Sequence, residues 1–345
     1  MADTPPRVAV IGAGLSGVGV AHALHASGFG CLLFEKSRGA GGRAASRRRN
    51  GFAYDFGANF FGPEPSEAFD LLCQTLGDEL IELQGDVWTF DREGTLSPGS
   101  PERQHARYSA RGGVNRAAKS VLADAPSAIL ITSKRIERIH GRRGSWMLTC
   151  DMGEEHGPFA AVVVTAPAPQ ASPLVADAIP ALADSLTQVG YDAQFSIALA
   201  LVEPVPIEPA VGALLNADRE HPIAWITVEE RKPDHAPSGS GLLVVQMSPA
   251  WTQAHYEAAK ESIAAMAQAY VEKLLGARIC AEWSDVQRWR YALPTSALDS
   301  AAADKAESSG LFVAGDARIG KGRATSALHN GMVTGRRVAA YLQSA

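Results

Sequence analysis

The chain has 345 residues, of which 46% are hydrophobic and 20% are charged, and its formal net charge is -5 at pH 7. It is long enough for two interlocked domains with a deep core, and its composition is ordinary for a soluble globular protein. The weak acidic balance provides no overall field that would attract nucleic acid or an acidic membrane, so neither is expected as a partner.

The cysteines and the apolar runs indicate the compartment. The four cysteines lie far apart without a CxxC pair, which predicts buried thiols of a reducing compartment and argues against a disulfide frame or a metal site. The N-terminus shows no basic leader followed by a long apolar region, and no apolar run approaches the roughly 20 residues that span a bilayer. We therefore expect a cytoplasmic protein without a metal ion.

The feature that organises the chain is a strand, turn, helix and strand pattern near the N-terminus. Two apolar runs, at residues 8–11 and 31–34, flank an Ala-rich helical stretch, and Glu35 ends the second run. Three glycines in GxGxxG spacing join the first run to the helix: Gly12, Gly14 and Gly17. The pattern predicts binding of a dinucleotide, without deciding between NAD and FAD.

Each part of this pattern has a physical role in holding a dinucleotide. The first glycine makes the tight turn, the second lets the backbone approach a pyrophosphate, and the third lets the helix pack close to the strand. The first helical turn, with Leu15 and Ser16, offers unpaired N–H groups to the phosphates. Glu35 lies at the spacing that suits an acceptor for ribose hydroxyls.

A basic, glycine-rich loop directly after the acid favours FAD over NAD. It carries Lys36, Arg38, Gly42 and Arg43. The two arginines are candidates to meet the pyrophosphate, and the glycine lets backbone come close to a flat ring. A second glycine-marked turn follows at residues 55–58. An NAD-binding domain has no need of these additional elements.

With these motifs the sequence resembles, over nearly its whole length, the two-domain flavoproteins that include the amine oxidases and, among them, the renalases. Five motifs occur in the same order: GxGxxG with its acid at Glu35, GGR at 41–43, DxGA at 55–58, TxPxP at 165–169, and GD at Gly315 and Asp316. The resemblance implies an α/β fold with a Rossmann-type FAD-binding domain and a discontinuous substrate domain based on a β-sheet. The expected boundaries are 1–75, 112–168 and 285–345 for the first domain, and 76–111 and 169–284 for the second.

The resemblance also implies how FAD is held without a covalent link. The backbone at Ile136 would contact the adenine, Asp316 would hydrogen-bond the ribityl chain, and the last helix would point its N-terminus at the flavin ring. Ala324 and Thr325 lie where that helix begins, and Thr325 or Ser326 is a candidate N-cap. No cysteine lies near this C-terminal block, so a thioether to the ring is not expected.

Renalases oxidise the 2- and 6-dihydro isomers of NAD(P) and pass the electrons to oxygen, giving NAD(P)+ and hydrogen peroxide. The resemblance implies a substrate pocket at Asn59, Phe60, Gln246 and Trp289, with Asn59 also near the cofactor. Asn59 and Phe60 stand where renalases have Gln and Tyr, and Gln246 stands where they have a histidine. The leading hypothesis is an FAD-dependent oxidase that transfers a hydride from a dihydronicotinamide isomer, or a related small cyclic donor, to flavin N5 and then reduces oxygen.

Two alternatives stay open. Flavin amine oxidases, which act on primary or secondary amines, commonly place a lysine near N5 through water and a pair of aromatic side chains before the ring. Lys321 is the lysine near the C-terminal motif, and it is expected on a surface loop. The other alternative, motivated by the changed pocket residues, is a non-catalytic FAD-binding or NAD-sensing partner protein.

Several local features are also predicted. Helical spacing predicts single helices over residues 66–83 and 252–275. The three arginines at 47–49 are expected in a solvated Asn-Gly turn, because a short basic run without aromatic partners is weak evidence for nucleic-acid binding. None of the nine histidines has an obvious partner, and a surface or loop position is expected for three of them: His221, His235 and His255.

Overall fold

The structure is a computed structural model that describes residues 8–101 and 104–344. In chain order its strands are β1 (Val8–Ile11), β2 (Cys31–Phe34), β3 (Ser46–Arg49), β4 (Phe52–Asp55), β5 (Leu80–Glu82), β6 (Asp86–Phe90), β7 (Leu96–Ser97), β8 (Tyr108–Ala110), β9 (Ala128–Ile131), β10 (Ile136–Arg142), β11 (Ser145–Cys150), β12 (Glu155–Phe159), β13 (Ala161–Val164), β14 (Tyr191–Leu201), β15 (Val211–Asn216), β16 (Ile223–Val228), β17 (Gly241–Met247), β18 (Ala281–Pro294) and β19 (Leu311–Val313). Its α-helices are α1 (Leu15–Ala26), α2 (Ser66–Leu76), α3 (Arg116–Ala123), α4 (Ala168–Val175), α5 (Pro180–Thr187), α6 (Pro249–Ala254), α7 (Lys260–Leu275), α8 (Ser300–Glu307), α9 (Asp316–Ile319) and α10 (Ala324–Ser344). None of these helices is long and apolar enough to cross a membrane.

A five-stranded parallel sheet in the order β19–β13–β1–β2–β9 forms the centre of the first domain. Its inner strands are short apolar runs buried on both faces, as expected for a parallel sheet covered on each side. Alternation along β1 directs Val8 and Val10 toward α1, α3 and α10, and Ala9 and Ile11 toward the layer of β10–β12, α4 and α5. The carboxyl ends of these strands share one edge, where α/β folds bind ligands.

A seven-stranded sheet in the order β18–β14–β17–β16–β15–β6–β7 forms the second domain. Its long strand β14 is antiparallel to both β17 and β18. Ile197 and Leu199 of β14 pack in the core that includes α7, whereas Ala198 and Ala200 face the β3–β4 hairpin of the first domain. Because alanine is small, this second face lets the hairpin come close to the sheet.

Packing favours a different placement for two of the domain boundaries expected from the sequence. All of β18 belongs to the seven-stranded sheet, so a boundary at residue 285 would cut one strand in two. Helices α4 and α5 pack with the parallel sheet through Leu174 and Leu182. We propose that residues 168–190 belong to the first domain and residues 281–294 to the second.

Three local predictions are wrong. The helix predicted over 66–83 ends at Leu76, where Gly77 takes a φ of 52°, and part of the remainder forms β5. The helix predicted over 252–275 is divided between α6 and α7. The arginines at 47–49 lie in β3 rather than in the Asn-Gly turn that follows it.

Candidate active site

The N-terminal glycine turn has the geometry that dinucleotide binding requires. Gly12 has a φ of 102°, which favours glycine, and a Cβ there would lie 2.6 Å from a threonine hydroxyl. A Cβ on Gly17 would overlap the Gly12 carbonyl, so α1 lies directly against the end of β1. Gly14 precedes α1 without a side-chain cap, which leaves the amides of the first turn, at Leu15 and Ser16, for a ligand.

Glu35 is buried at the end of β2 and faces the same turn. Its Oε2 accepts from Ala13 N at 2.9 Å and its Oε1 accepts from Ser37 N at 2.8 Å, which fixes the carboxylate beside the glycines. The Glu35 carbonyl accepts from Lys134 N at 2.9 Å, so the chain that enters β10 at Ile136 passes the same strand end. The two residues expected at the adenosine half, Glu35 and Ile136, therefore lie in one region.

The basic loop divides into an exposed part and a part that meets the glycine turn. Lys36 and Arg38 are exposed, and Lys36 Nζ donates to Gln170 Oε1 of α4 at 3.1 Å. Their contact with a cofactor stays a prediction. A Cβ on Gly42 would lie 3.0 Å from Gly14 Cα, and Gly42 has a φ of 58°, so this position favours glycine where the loop approaches the turn.

The residues around α1 fit a pyrophosphate. The Ser16 hydroxyl is buried and has no hydrogen-bond partner within the described residues. It lies beside Gly315, where a Cβ would come 3.4 Å from Ser16 Oγ. A buried hydroxyl without a partner destabilises a protein unless a ligand satisfies it. A phosphate at the first turn of α1 would do so.

The two distant motifs meet at Arg43 and Asp316. Arg43 Nη1 lies 2.5 Å from Asp316 Oδ2 and also donates to the carbonyls of Tyr291 and Ala292. Tyr191 donates its hydroxyl to Asp316 Oδ1 at 3.0 Å, and burial together with the Asp316 charge raises the pKa of Tyr191. Each carboxylate oxygen accepts more than one hydrogen bond, so Asp316 keeps capacity for a ribityl hydroxyl.

The final helix begins beside the DxGA turn. α10 starts at Ala324, and the Thr325 hydroxyl donates to the Gly62 carbonyl at 2.8 Å. The N-cap prediction for Thr325 or Ser326 is therefore wrong, because both residues lie within the first turn. The same contact brings the positive end of the α10 dipole next to Gly62, four residues after the DxGA turn. The N-terminal glycine motifs and the C-terminal GD motif of the candidate cofactor site are thus brought together by α1, α10 and the Arg43–Asp316 pair.

Two polar side chains from the large sheet hold the DxGA turn. Gln246 Nε2 of β17 donates to the Gly57 carbonyl at 2.9 Å, and Trp289 Nε1 of β18 donates to the Phe56 carbonyl at 2.9 Å. The Trp289 ring stacks on Phe56, with ring centroids 5.4 Å apart and planes at 15°. Both residues were expected to line the substrate pocket, and their contacts fix the turn.

Asn59 and Phe60 continue the same turn. Asn59 is buried, and its Nδ2 donates to the Asp55 carbonyl at 2.6 Å. The Phe60 ring is half-buried, and its centroid lies 5.8 Å from that of Trp225. β16 pairs with β17 so that Trp225 is opposite Gln246. The structure therefore brings the four expected pocket residues together around one turn and adds Trp225 to them.

A cluster of buried charges supports this turn. Lys232 Nζ lies 2.9 Å from Asp55 Oδ2 and 2.6 Å from Glu229 Oε1, and it donates to the Asn59 carbonyl at 2.8 Å. His235 Nδ1 lies 2.7 Å from Glu229 Oε2. Burial acts to lower the pKa of Lys232, but the charges of Asp55 and Glu229 raise it above its ordinary value. Lys232 thus remains a cation that links the carboxylates to the turn.

Sequence reasoning missed this cluster. The stretch 229–241 is rich in charged residues, Pro, Gly and Ser, which is typical of an exposed loop, so its composition carries no signal of burial. His235 is fully buried and His221 is 5% exposed, so both lie in loops, as the prediction allowed, but neither lies on the surface. His255 is half-buried, and its Nδ1 lies 2.8 Å from the Trp251 carbonyl.

Two family matches cover most of the chain. Residues 10–75 match the NAD(P)-binding Rossmann-like domain, and residues 79–343 match the flavin containing amine oxidoreductases. The chain belongs to the flavin containing amine oxidoreductases. As a member of this family it is an FAD-dependent oxidoreductase, and its FAD is bound without a covalent link.

Similarity of this amine oxidoreductase to curated proteins is local. It is 31% identical over 126 residues to a 4,4'-diapophytoene desaturase of Staphylococcus aureus. The match covers 34% of this chain and only 25% of the desaturase.

Similarity to solved structures extends over the whole chain. Cyclohexylamine oxidase from Brevibacterium oxydans superposes with a TM-score of 0.77 at 13% identity, covering 99% of this chain and 100% of that one. Putrescine oxidase bound to putrescine superposes with a TM-score of 0.75 at 13% identity, covering 99% of both chains. At these identities the similarity concerns the fold, and it confirms the predicted α/β architecture with a Rossmann-type domain.

Proposed function

We propose that this flavoprotein is a renalase-like oxidase. Its donor is a dihydronicotinamide isomer, 2- or 6-dihydro-NAD(P), or a related small cyclic compound. The donor loses a hydride, and the electron pair passes to oxygen with one proton from solvent, so that the products are NAD(P)+ and hydrogen peroxide. The bound flavin supplies the hydride acceptor at N5.

The proposal is supported chiefly by the direction of the polar groups at the DxGA turn. At this turn, backbone carbonyls accept hydrogen bonds from side-chain nitrogens of Gln246, Trp289 and Lys232. None of these groups accepts a proton, and the nearby carboxylates of Asp55 and Glu229 are paired with Lys232. A dihydronicotinamide needs no base, because the lone pair of its ring nitrogen assists departure of the hydride. The site has only to position the donor and exclude water.

The aromatic residues suit a planar donor. Phe60 and Trp225 form a tilted pair beside the turn, and flat apolar faces of this kind favour a flat ring. Phe60 has no hydroxyl, so the ring is held by contact area and by backbone groups. We assign Phe60 and Trp225 to packing against the donor, and Gln246, Trp289 and Asn59 to holding the turn.

A second candidate function is oxidation of a primary or secondary amine. It is favoured by the same aromatic pair, together with the buried Lys232 close to the turn. Cyclohexylamine oxidase and putrescine oxidase, which share the fold, act by their names on amines. Lys232 is already bound to two carboxylates and a carbonyl, which leaves it little freedom to hold a water for the flavin.

Anaerobic stopped-flow reduction of the bound flavin separates the two functions. The panel is 2-, 4- and 6-dihydro-NAD(P) with cyclohexylamine and putrescine. We expect bleaching by the 2- or 6-dihydro isomers and recolouring in air, with one hydrogen peroxide formed for each donor oxidised. Bleaching by the amines alone would establish the second function, and slow reduction by every donor would point to a binding role.

A further inference from the structure

A small recess lies beside the DxGA turn, where the residues that follow this turn meet the second domain. Its lining includes the aromatic pair Phe60 and Trp225 and three cationic side chains, Arg107, Arg231 and Lys232. In the neighbouring wall the backbones at Gln84 and Gly212 lie close together, since a Cβ on Gly212 would lie 2.8 Å from the Gln84 carbonyl oxygen. The recess therefore combines flat apolar surface with an unusual density of positive charge.

Arg107 is a buried cation that forms no ion pair with a described residue. It is 8% exposed, and its Nη2 donates to the Gly85 carbonyl at 2.5 Å. Among residues 8–101 and 104–344 no carboxylate forms an ion pair with it. Asp86 acts on it only at longer range, and burial lowers the pKa of the guanidinium. A buried charge is unfavourable unless it is paired, so this group is suited to an incoming anion.

The other two cations differ in how far they are already neutralised. Lys232 is matched by Asp55 and Glu229, and it contributes no surplus charge to the recess. Arg231 is exposed at the recess and makes no ion pair with a described residue. The surplus positive charge of the recess therefore lies on the guanidinium groups of Arg107 and Arg231. Guanidinium groups bind phosphates and carboxylates in a planar, bidentate manner.

We propose that the recess binds an anionic group of the substrate, a phosphate or a carboxylate, through Arg107 and Arg231. The planar part of the same substrate then lies against Phe60 and Trp225. This inference rests on the proposed function and deepens it, because it names the substrate class as donors that carry an anion rather than cationic amines. A dihydronicotinamide mononucleotide carries a phosphate of this kind, whereas the corresponding riboside is neutral.

Three variants and two donors test the assignment. Anaerobic flavin reduction is measured with 6-dihydronicotinamide mononucleotide and with its riboside, for the wild type, Arg107→Gln and Arg231→Gln. The matched control is Arg142→Gln, which changes an exposed arginine of β10 in the first domain. Because Arg107 also holds the Gly85 carbonyl, Arg231→Gln is the variant that leaves this contact intact.

We expect the wild type to bind the mononucleotide at least about tenfold more tightly than the riboside, which is about 1.4 kcal/mol. Each arginine variant should lose most of this preference, Arg231→Gln should do so with its affinity for the riboside unchanged, and Arg142→Gln should behave as the wild type. Equal affinities for the two donors in the wild type would overturn the anionic site and leave the proposed function standing.

Calorimetry provides a readout that does not depend on activity. The FAD-loaded wild type is titrated with inorganic phosphate and with benzoate, which separates a phosphate site from a carboxylate site. If either anion binds and its binding is weakened in Arg231→Gln, the anion site in the recess is supported. This holds even if neither donor reduces the flavin, and in that case only the proposed function fails. Absence of binding by both anions overturns the inference.

Discussion

Arg43 and Asp316 lie 273 positions apart in the chain, and their side chains form an ion pair with a distance of 2.5 Å between Nη1 and Oδ2. Arg43 follows the glycine loop that touches Gly14, and Asp316 follows the glycine that lies beside Ser16. The pair therefore joins the N-terminal and C-terminal motifs into one site. An elongated flavin nucleotide bound there would meet α1 at its phosphates and Asp316 at its ribityl chain.

Replacement of Asp316 tests this arrangement. Asp316→Ala removes an acceptor for the ribityl chain and leaves Arg43 without its carboxylate partner. A hydrogen bond to a charged group contributes about 1.5–3 kcal/mol, so FAD should bind about tenfold more weakly or worse. The measurement is the ratio of FAD to protein after dialysis. Asp177→Ala, which removes an exposed partner of Arg138, should leave the ratio unchanged, and equal ratios in both variants would contradict the assignment.

Replacement of Gly17, in the first turn of α1, tests the close contact between α1 and the end of β1. A Cβ on Gly17 would overlap the Gly12 carbonyl, and backbone cannot move aside as a flexible side chain does. Gly17→Ala should destabilise the protein by about 3 kcal/mol and reduce its FAD content. Gly39→Ala is the control, since a Cβ on Gly39 would have no atom of a described residue within 4 Å apart from its neighbours in the chain. Urea denaturation followed by circular dichroism compares the two, and equal midpoints would show that the close contact is unimportant.

The buried cluster predicts a large effect at Lys232. Lys232→Met leaves Asp55 and Glu229 buried without a cation, which typically lowers the free energy of unfolding by about 3–5 kcal/mol. We propose that the turn lies beside the flavin ring, so loss of the bond to the Asn59 carbonyl should also release the turn and shift the visible spectrum of bound FAD. Lys134→Met, at an exposed pair with Glu154, should change neither quantity appreciably. An unchanged spectrum in Lys232→Met would separate the cluster from the cofactor site.

The same lysine predicts how stability varies with pH. The pKa of Lys232 in the folded protein is raised, so its contribution is complete below the ordinary lysine pKa of about 10.4 and is lost as pH rises through the folded value. The raised pKa values of Tyr54 and Tyr191 act in the same direction, because each phenol stays neutral in the fold after it would ionise in the unfolded chain. Urea denaturation at a series of pH values should show the unfolding free energy falling above about pH 10, less steeply in Lys232→Met. An equal slope in both proteins would contradict this contribution.

The glycine turn and the acid at the end of β2 could be predicted from the sequence because their requirements are local. Gly12, Gly17 and Glu35 act through backbone conformation and spacing within about 25 residues, and such features are visible in a linear sequence. The family resemblance implied that the GGR and GD motifs serve one cofactor, but the contact between Arg43 and Asp316 was not predicted, because it depends on the order of strands in the parallel sheet.

The substrate half was less predictable because its contacts join distant segments. Gln246 and Trp289 could be chosen as pocket residues, but only the pairing of β14, β17 and β18 shows that they bind the carbonyls of the turn. Lys232 lies in a polar stretch whose burial depends on Asp55, 177 positions earlier. The end of the helix at Leu76 is a different case, because Gly77 is a stop signal that is visible in the sequence. The prediction extended the helix beyond it because the apolar spacing continues.

The FAD content of the purified protein, followed by anaerobic titration with a hydride donor, tests the central claim most directly. We expect one FAD for each chain, released intact when the protein is denatured, and complete bleaching by one equivalent of 6-dihydro-NAD followed by recolouring in air. A protein that carries no flavin and takes none up when FAD is added would contradict the claim that the two glycine motifs hold one flavin nucleotide.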